Sequence, residues 1–137
     1  MEKVSRRESR EKAIITLYQS DLMGKNATDI VRNELLLGNK ISEFSIKLIK
    51  GVHEKKKEID SIIGKVVKNW SLDRIAIIDR NILRVAIYEM YYMDDIPLKV
   101  SVDEAIEIAK VLGQKDDTPK FINGILGKIL EDLNSGK

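Results

Sequence analysis

Apolar residues return every three to four positions along almost the whole chain, and no period-two alternation survives for more than a few residues. That spacing predicts helices throughout and no sheet. The first helix opens at Ser5, where Ser5 and Glu8 have capping-box spacing. Its stripe is Ala13, Leu17, Ile14 and Tyr18, with Met23 near the end and Gly24 as the stop. A short second helix follows Thr28, with Ile30, Val31, Leu35 and Leu36 inward, and ends near Gly38. Ser42 caps a third, carrying Phe44, Leu48 and Ile49, and Gly51 weakens its continuity. The charged run Glu54 to Glu58 is a solvated face or a junction, after which Ile59, Ile62, Ile63, Val66, Val67 and Trp70 resume the pattern. Ser71 and Asp73 open the longest helix, which runs to about Tyr92.

Asp94-Asp95-Ile96-Pro97 breaks it, because proline pushes its predecessor out of the α region. Ser101 with Glu104 repeats the capping-box spacing and starts a helix that Gly113 ends. Thr118-Pro119 resembles an N-cap followed by a first-turn proline, leading into a final helix through Leu133. The expected fold is all-α: a bundle of six or seven helices in two small subdomains, about 1–69 and 70–137, with the seam near Asn69-Trp70-Ser71.

Composition narrows the chemistry. With 137 residues the chain suits one domain. It holds no cysteine and one histidine, His53, so thiol catalysis, zinc fingers and multi-imidazole metal centres are excluded. No phosphate loop, dinucleotide fingerprint or nucleophile elbow occurs. The acidic pairs Asp94-Asp95, Asp103-Glu104 and Asp116-Asp117 read as caps and turns. The chain is expected not to be an enzyme and to need no cofactor or metal. The opening residues lack an apolar h-region, and no stretch reaches the ~18 apolar residues of a span, so a cytoplasmic protein is expected.

Net charge is only +2, so any electrostatic site must be local. Lys3, Arg6, Arg7, Arg10 and Lys12 crowd the N-terminus, diluted by Glu2, Glu8 and Glu11. They form either a phosphate-binding stripe or a salt-bridged solvated helix. Lys120 and Phe121 lie in the first turn of the last helix, where orphan N–H groups favour phosphate and a ring can stack a base. Phe121 also fits the core stripe with Ile125. Asp79 falls within the apolar sector of the central helix, opposite Arg80, Arg84 and Tyr88. It needs a partner: Arg10 or Arg74 internally, or a cation on another protein.

Four segments together resemble the NusB family over essentially the whole length. They are Arg10-Glu11-Lys12-Ala13 with Leu17-Tyr18-Gln19-Ser20-Asp21; Asp79-Arg80-Asn81-Ile82-Leu83-Arg84-Val85-Ala86-Ile87-Tyr88-Glu89; Ile96-Pro97 with Val100-Ser101-Val102-Asp103-Glu104-Ala105-Ile106-Glu107-Ile108-Ala109-Lys110; and Lys120-Phe121-Ile122-Asn123-Gly124-Ile125-Leu126. The resemblance implies a transcription antitermination factor that binds boxA RNA of ribosomal RNA leaders. Its implied partner is NusE, a small-subunit ribosomal protein, and together they seed an antitermination complex on RNA polymerase. Carried over by position, RNA would meet Lys3, Arg6, Arg7, Arg10, Asp117, Lys120 and Phe121. NusE would meet Tyr18, Asp79 and Arg74. The expected device is a clamp, with cations from the N-terminus and an aromatic platform near the C-terminus. Two other classes compete: an RNA-recruiting domain of a ribosomal RNA methyltransferase, although no cofactor-binding αβ unit follows within these residues, and a purely structural helical dimer.

Overall fold

The computed structural model describes residues 4–68 and 71–136. Six α-helices and one short 3-10 turn follow in order: α1 Arg6–Met23, α2 Ala27–Leu36, α3 Glu43–Val66, the 3-10 turn Leu72–Arg74, α4 Ile77–Tyr92, α5 Leu98–Leu112 and α6 Thr118–Asn134. No strand occurs among the described residues. Asn69 and Trp70, where the seam is expected, lie outside them.

Local chemistry sets several ends as expected. Ser5 Oγ accepts the Glu8 N–H at 3.0 Å and starts α1. Gly24, at φ 67°, returns its N–H to the Ser20 carbonyl and stops it, a left-handed conformation that costs glycine little. Ser42 Oγ accepts the Ser45 N–H at 3.1 Å and starts α3.

Other ends differ, some through another local cap and some because a tertiary contact overrides the local signal. Asn26, not Thr28, caps α2, accepting the Thr28 N–H at 2.9 Å. The inward stripe of α2 is Ala27, Val31 and Glu34, and Leu35 and Leu36 are 47% and 78% exposed. Leu36 sits two positions, about 200°, around the helix from Glu34, so both cannot face α1. The longest helix is α3, with 24 residues against 16 in α4. Ser71 and Asp73 open only the 3-10 turn. The chain then extends through Ile75 and Ala76, and Arg80 donates to the freed carbonyls of Ile75 at 2.9 Å and Asp73 at 3.4 Å.

Helix α5 begins at Leu98 rather than Ser101. The Ser101 hydroxyl is buried and donates to Glu89 Oε1 at 2.8 Å, so it caps nothing. At α6, Asp117 holds the N-cap position without a side-chain bond. Thr118 lies inside the helix, its Oγ1 accepting from the Lys115 N–H at 3.1 Å and donating to Asp79 Oδ2 at 3.2 Å.

One core joins these helices. Ala13 and Ile14 of α1, Leu48, Ile49, Ile59 and Ile63 of α3, Ile82, Leu83 and Ile87 of α4, Ile108 of α5, and Ile122 and Leu126 of α6 are closed to solvent. Helix α4 is the hub, packed against α1, α3, α5 and α6. It is therefore covered on nearly every side, and the face carrying Arg84 is buried too. The charged run Glu54 to Glu58 is exposed and also carries a kink, with Lys55 at φ −105° and ψ 16°.

Gly51 does not break α3; it makes room. A Cβ on Gly51 would overlap the Tyr88 ring, which stands 5.4 Å from Tyr92. Alanine for glycine inside a helix ordinarily adds up to ~1 kcal/mol of stability. Here Gly51→Ala is expected to cost about 1–3 kcal/mol by overpacking. Urea midpoints check the cause: in a Tyr88→Ala background the same substitution should become stabilising.

Candidate nucleic-acid interface

The N-terminal cations have different surroundings despite their shared spacing. Lys3 lies outside the described residues. Arg6 is exposed, with its guanidinium 4.4 Å from the centre of the Phe44 ring. Arg7 reaches across to α5, its Nε and Nη2 donating to Glu104 at 2.9 and 2.8 Å. The Arg7 hydrogen bond, against an opposing push from burial, holds the Glu104 carboxyl below its ordinary range. The Arg7 side chain is 48% exposed against 21% for Glu104, so Arg7 stays within reach of a phosphate.

Arg10 does not fit the expected phosphate stripe. It is 4% exposed, and its Nε and Nη2 donate to Glu89 at 2.7 and 2.9 Å. One turn further along α1 than Arg6, its guanidinium faces Glu89 of α4 and, at 3.7 Å, Glu104 of α5. Arg10 is a structural tie between α1 and α4, and among the described arginines of the expected stripe Arg6 and Arg7 remain exposed.

The second group assembles at the other end of α4. Asp79 accepts the Gln114 N–H at 2.9 Å and the Thr118 hydroxyl at 3.2 Å. Neither Arg10 nor Arg74 pairs with it; the carboxylate instead tethers the α5–α6 turn. That tether sets the first turn of α6, with Lys120 exposed and Phe121 half-buried. Phe121 packs on the edge of the core and also lines an open cavity of about 150 Å3. Arg74, Asp79, Gln114, Lys115 and Asp117 line the same cavity. Residues expected to touch RNA, Asp117 and Phe121, thus stand beside residues expected to touch a protein, Arg74 and Asp79. Tyr18 is half-buried on α1. Sequence reasoning passed over Gln114 and Lys115; their place between Gly113 and Thr118, in the turn ahead of a helix start, was the available signal.

The two groups do not converge on one point. Arg7 meets α5 at Glu104, whereas Asp79 meets the turn after α5 at Gln114, ten residues further on. At 1.5 Å per residue the helical part alone, from Glu104 to Leu112, spans roughly 12 Å. A strand lying along α5 can touch both ends, passing the exposed ion pair of Lys110 and Glu107 at 2.6 Å. Among the described residues no helix is long and apolar enough to cross a membrane.

Comparison with known proteins agrees with this geometry. The NusB family pattern matches residues 7–131. The transcription antitermination protein NusB of Desulforamulus reducens is 47% identical over 133 residues, covering 94% of this chain and 92% of that protein. The structure of T. maritima NusB superposes with a TM-score of 0.83 at 34% identity, covering 95% of this chain and 93% of that one. A structure of the antitermination factors NusB and NusE in complex with double-stranded RNA gives 0.78 at 26% identity, covering 93% and 96% of the two chains. The fold, the length matched and the order of the motifs all agree: this chain belongs to the NusB family.

Proposed function

We propose that this chain is a cytoplasmic transcription antitermination factor that acts by binding and not by catalysis. It holds boxA-type single-stranded RNA of ribosomal RNA leaders together with NusE and helps assemble the antitermination complex on RNA polymerase. The observation that carries this reading is the cavity between α4 and α6, where Asp117 and Phe121 adjoin Arg74 and Asp79. Two ligands bound there would meet edge to edge, and each would raise the affinity of the other by the same factor. Arg6, Arg7 and Lys120 supply phosphate contacts, and Phe121 offers a ring to a base. Arg10 is left out because its charge is already spent on Glu89. The related complex of NusB, NusE and RNA supports the combination of partners.

Gel-shift titration of a boxA-type single strand, with and without NusE, is the test. Binding should be tighter with NusE and should fall steeply with salt. Arg6→Ala and Arg7→Ala should each reduce the salt slope by about one unit. Phe121→Ala should weaken binding by roughly 1–3 kcal/mol. Affinity that ignores both salt and NusE would refute the proposal.

A further inference from the structure

The C-terminal end of α2, with its cap Leu37, has no role in the function above, yet it displays three consecutive leucines. Leu35, Leu36 and Leu37 are 47%, 78% and 80% exposed. They are not on a loose loop. The Leu37 N–H bonds the Asn33 carbonyl at 3.1 Å, the Gly38 N–H bonds Leu35 at 3.1 Å and the Asn39 N–H bonds Glu34 at 2.9 Å. Beside them runs an open groove of about 400 Å3 between α2 and α3, floored by Val31, Leu35, Leu36 and Ile46. Arg32 and Lys50 line it, and no carboxylate or aromatic ring does among the described residues. Lys50 has no ion-pair partner there, and Arg32 meets only Asp29 at 3.4 Å on open surface. Ordered, solvent-facing leucines in a cluster mark an interaction surface more often than an accident of packing.

We propose that this groove docks an amphipathic helix of another protein, one that presents leucine-type side chains flanked by carboxylates. The apolar floor and ordered leucines suit the apolar face of such a helix, and the two rim cations select acidic flanks. A second copy of this chain would bring Arg32 and Lys50 against a surface of the same sign. A nucleic acid would find no ring on which to stack. The groove lies between α2 and α3, whereas the RNA cavity is built by α4, α6 and the turns beside them, so both can be filled together.

The test titrates the full isotope-labelled chain with two synthetic helical peptides: one with leucines flanked by glutamates, and its twin with lysines for glutamates. Amide shifts should centre on Val31, Leu35, Leu36, Ile46 and Lys50. The acidic peptide should bind roughly threefold to tenfold more tightly than its twin. Arg32→Gln with Lys50→Gln should erase that difference. Leu36→Ser with Leu37→Ser should weaken both peptides roughly tenfold or more, while melting temperature and RNA affinity stay unchanged. Equal binding of both peptides, or no shifts in the groove, would overturn the proposal. So would self-association of the wild type that the leucine variant abolishes, since that makes a second copy the occupant. RNA binding is read separately, so the fate of the RNA proposal does not decide this one.

Discussion

Glu89→Ala is expected to be among the most damaging single changes in this protein, costing about 3–5 kcal/mol of stability. Glu89 is 1% exposed and accepts three hydrogen bonds: two from Arg10, at 2.7 and 2.9 Å, and one from Ser101 at 2.8 Å. Without it the Arg10 guanidinium stays buried with only a longer contact to Glu104, at 3.7 Å, and the Phe44 ring, centred 5.3 Å away. A buried cation stripped of its partner keeps its desolvation cost and loses the attraction that offset it. For a domain of this size the melting temperature should fall by roughly 10–20 °C. Arg10→Ala should do comparable harm by leaving the Glu89 carboxylate with Ser101 alone. The double variant Arg10→Met with Glu89→Leu should be far milder, because removing both charges removes the desolvation cost as well. Urea unfolding of the two single variants and the pair checks this, and strictly additive losses would show that the groups are not coupled. The result also bears on RNA. Weak binding by Arg10→Ala must be separated from lost folding before any phosphate contact is assigned.

The second large effect is expected at Arg84, which is 2% exposed and joins three helices. Its Nη1 donates to Asp21 of α1 at 2.7 Å, and its Nε and Nη2 to Asp60 of α3 at 2.8 and 2.9 Å. Arg84→Met should cost about 2–3 kcal/mol near neutral pH, less than Glu89→Ala. The groups left behind are two carboxylates, with side chains 17% and 22% exposed, that can recover some water, and Asp21 keeps its hydrogen bonds from Asn81 and Lys56. The pH dependence identifies the mechanism. Burial pushes the Asp21 carboxyl up, but hydrogen bonds from Asn81 and Lys56 and the charge of Arg84 outweigh it, so its pKa lies below the ordinary value. A carboxyl lowered in the folded state stabilises above its unfolded pKa, about 3.9. That contribution disappears as pH falls through the folded value. Arg84→Met removes one lowering influence, so the gap between wild type and variant should be widest near neutrality and shrink in acid. Thermal melts from pH 7 down to about pH 3 measure it. A gap independent of pH would assign the loss to packing alone.

Much of the fold and part of the site were legible in the residues. Ser5, Ser42 and Gly24 act on backbone groups within a few positions of themselves, so their spacing suffices to place helix ends. The break at Asp94 to Pro97 is legible for the same reason: proline restricts its own neighbour wherever it stands. Of the residues proposed to contact RNA, the exposed pair Arg6 and Arg7 and the neighbours Lys120 and Phe121 stand out as charge and ring near helix starts. Arg10 shows the limit. It shares a spacing with Arg6, but the carboxylate that captures it is 79 positions away. Ser101 and Thr118 have the look of caps, yet their hydroxyls serve Glu89 and Asp79 on another helix.

By itself the amino-acid sequence determined the all-helical character, the order of the helices and the family, because periodicity, caps and motifs are local or collinear properties. Only the tertiary structure decided which polar groups are spent inside the molecule, which leucines face water, and that the cationic and aromatic ends stand apart along α5. Helical spacing says which side of a helix is apolar. Whether a neighbouring helix covers the other sides depends on how all six pack around α4, and that packing decides whether a charge is left to meet a ligand.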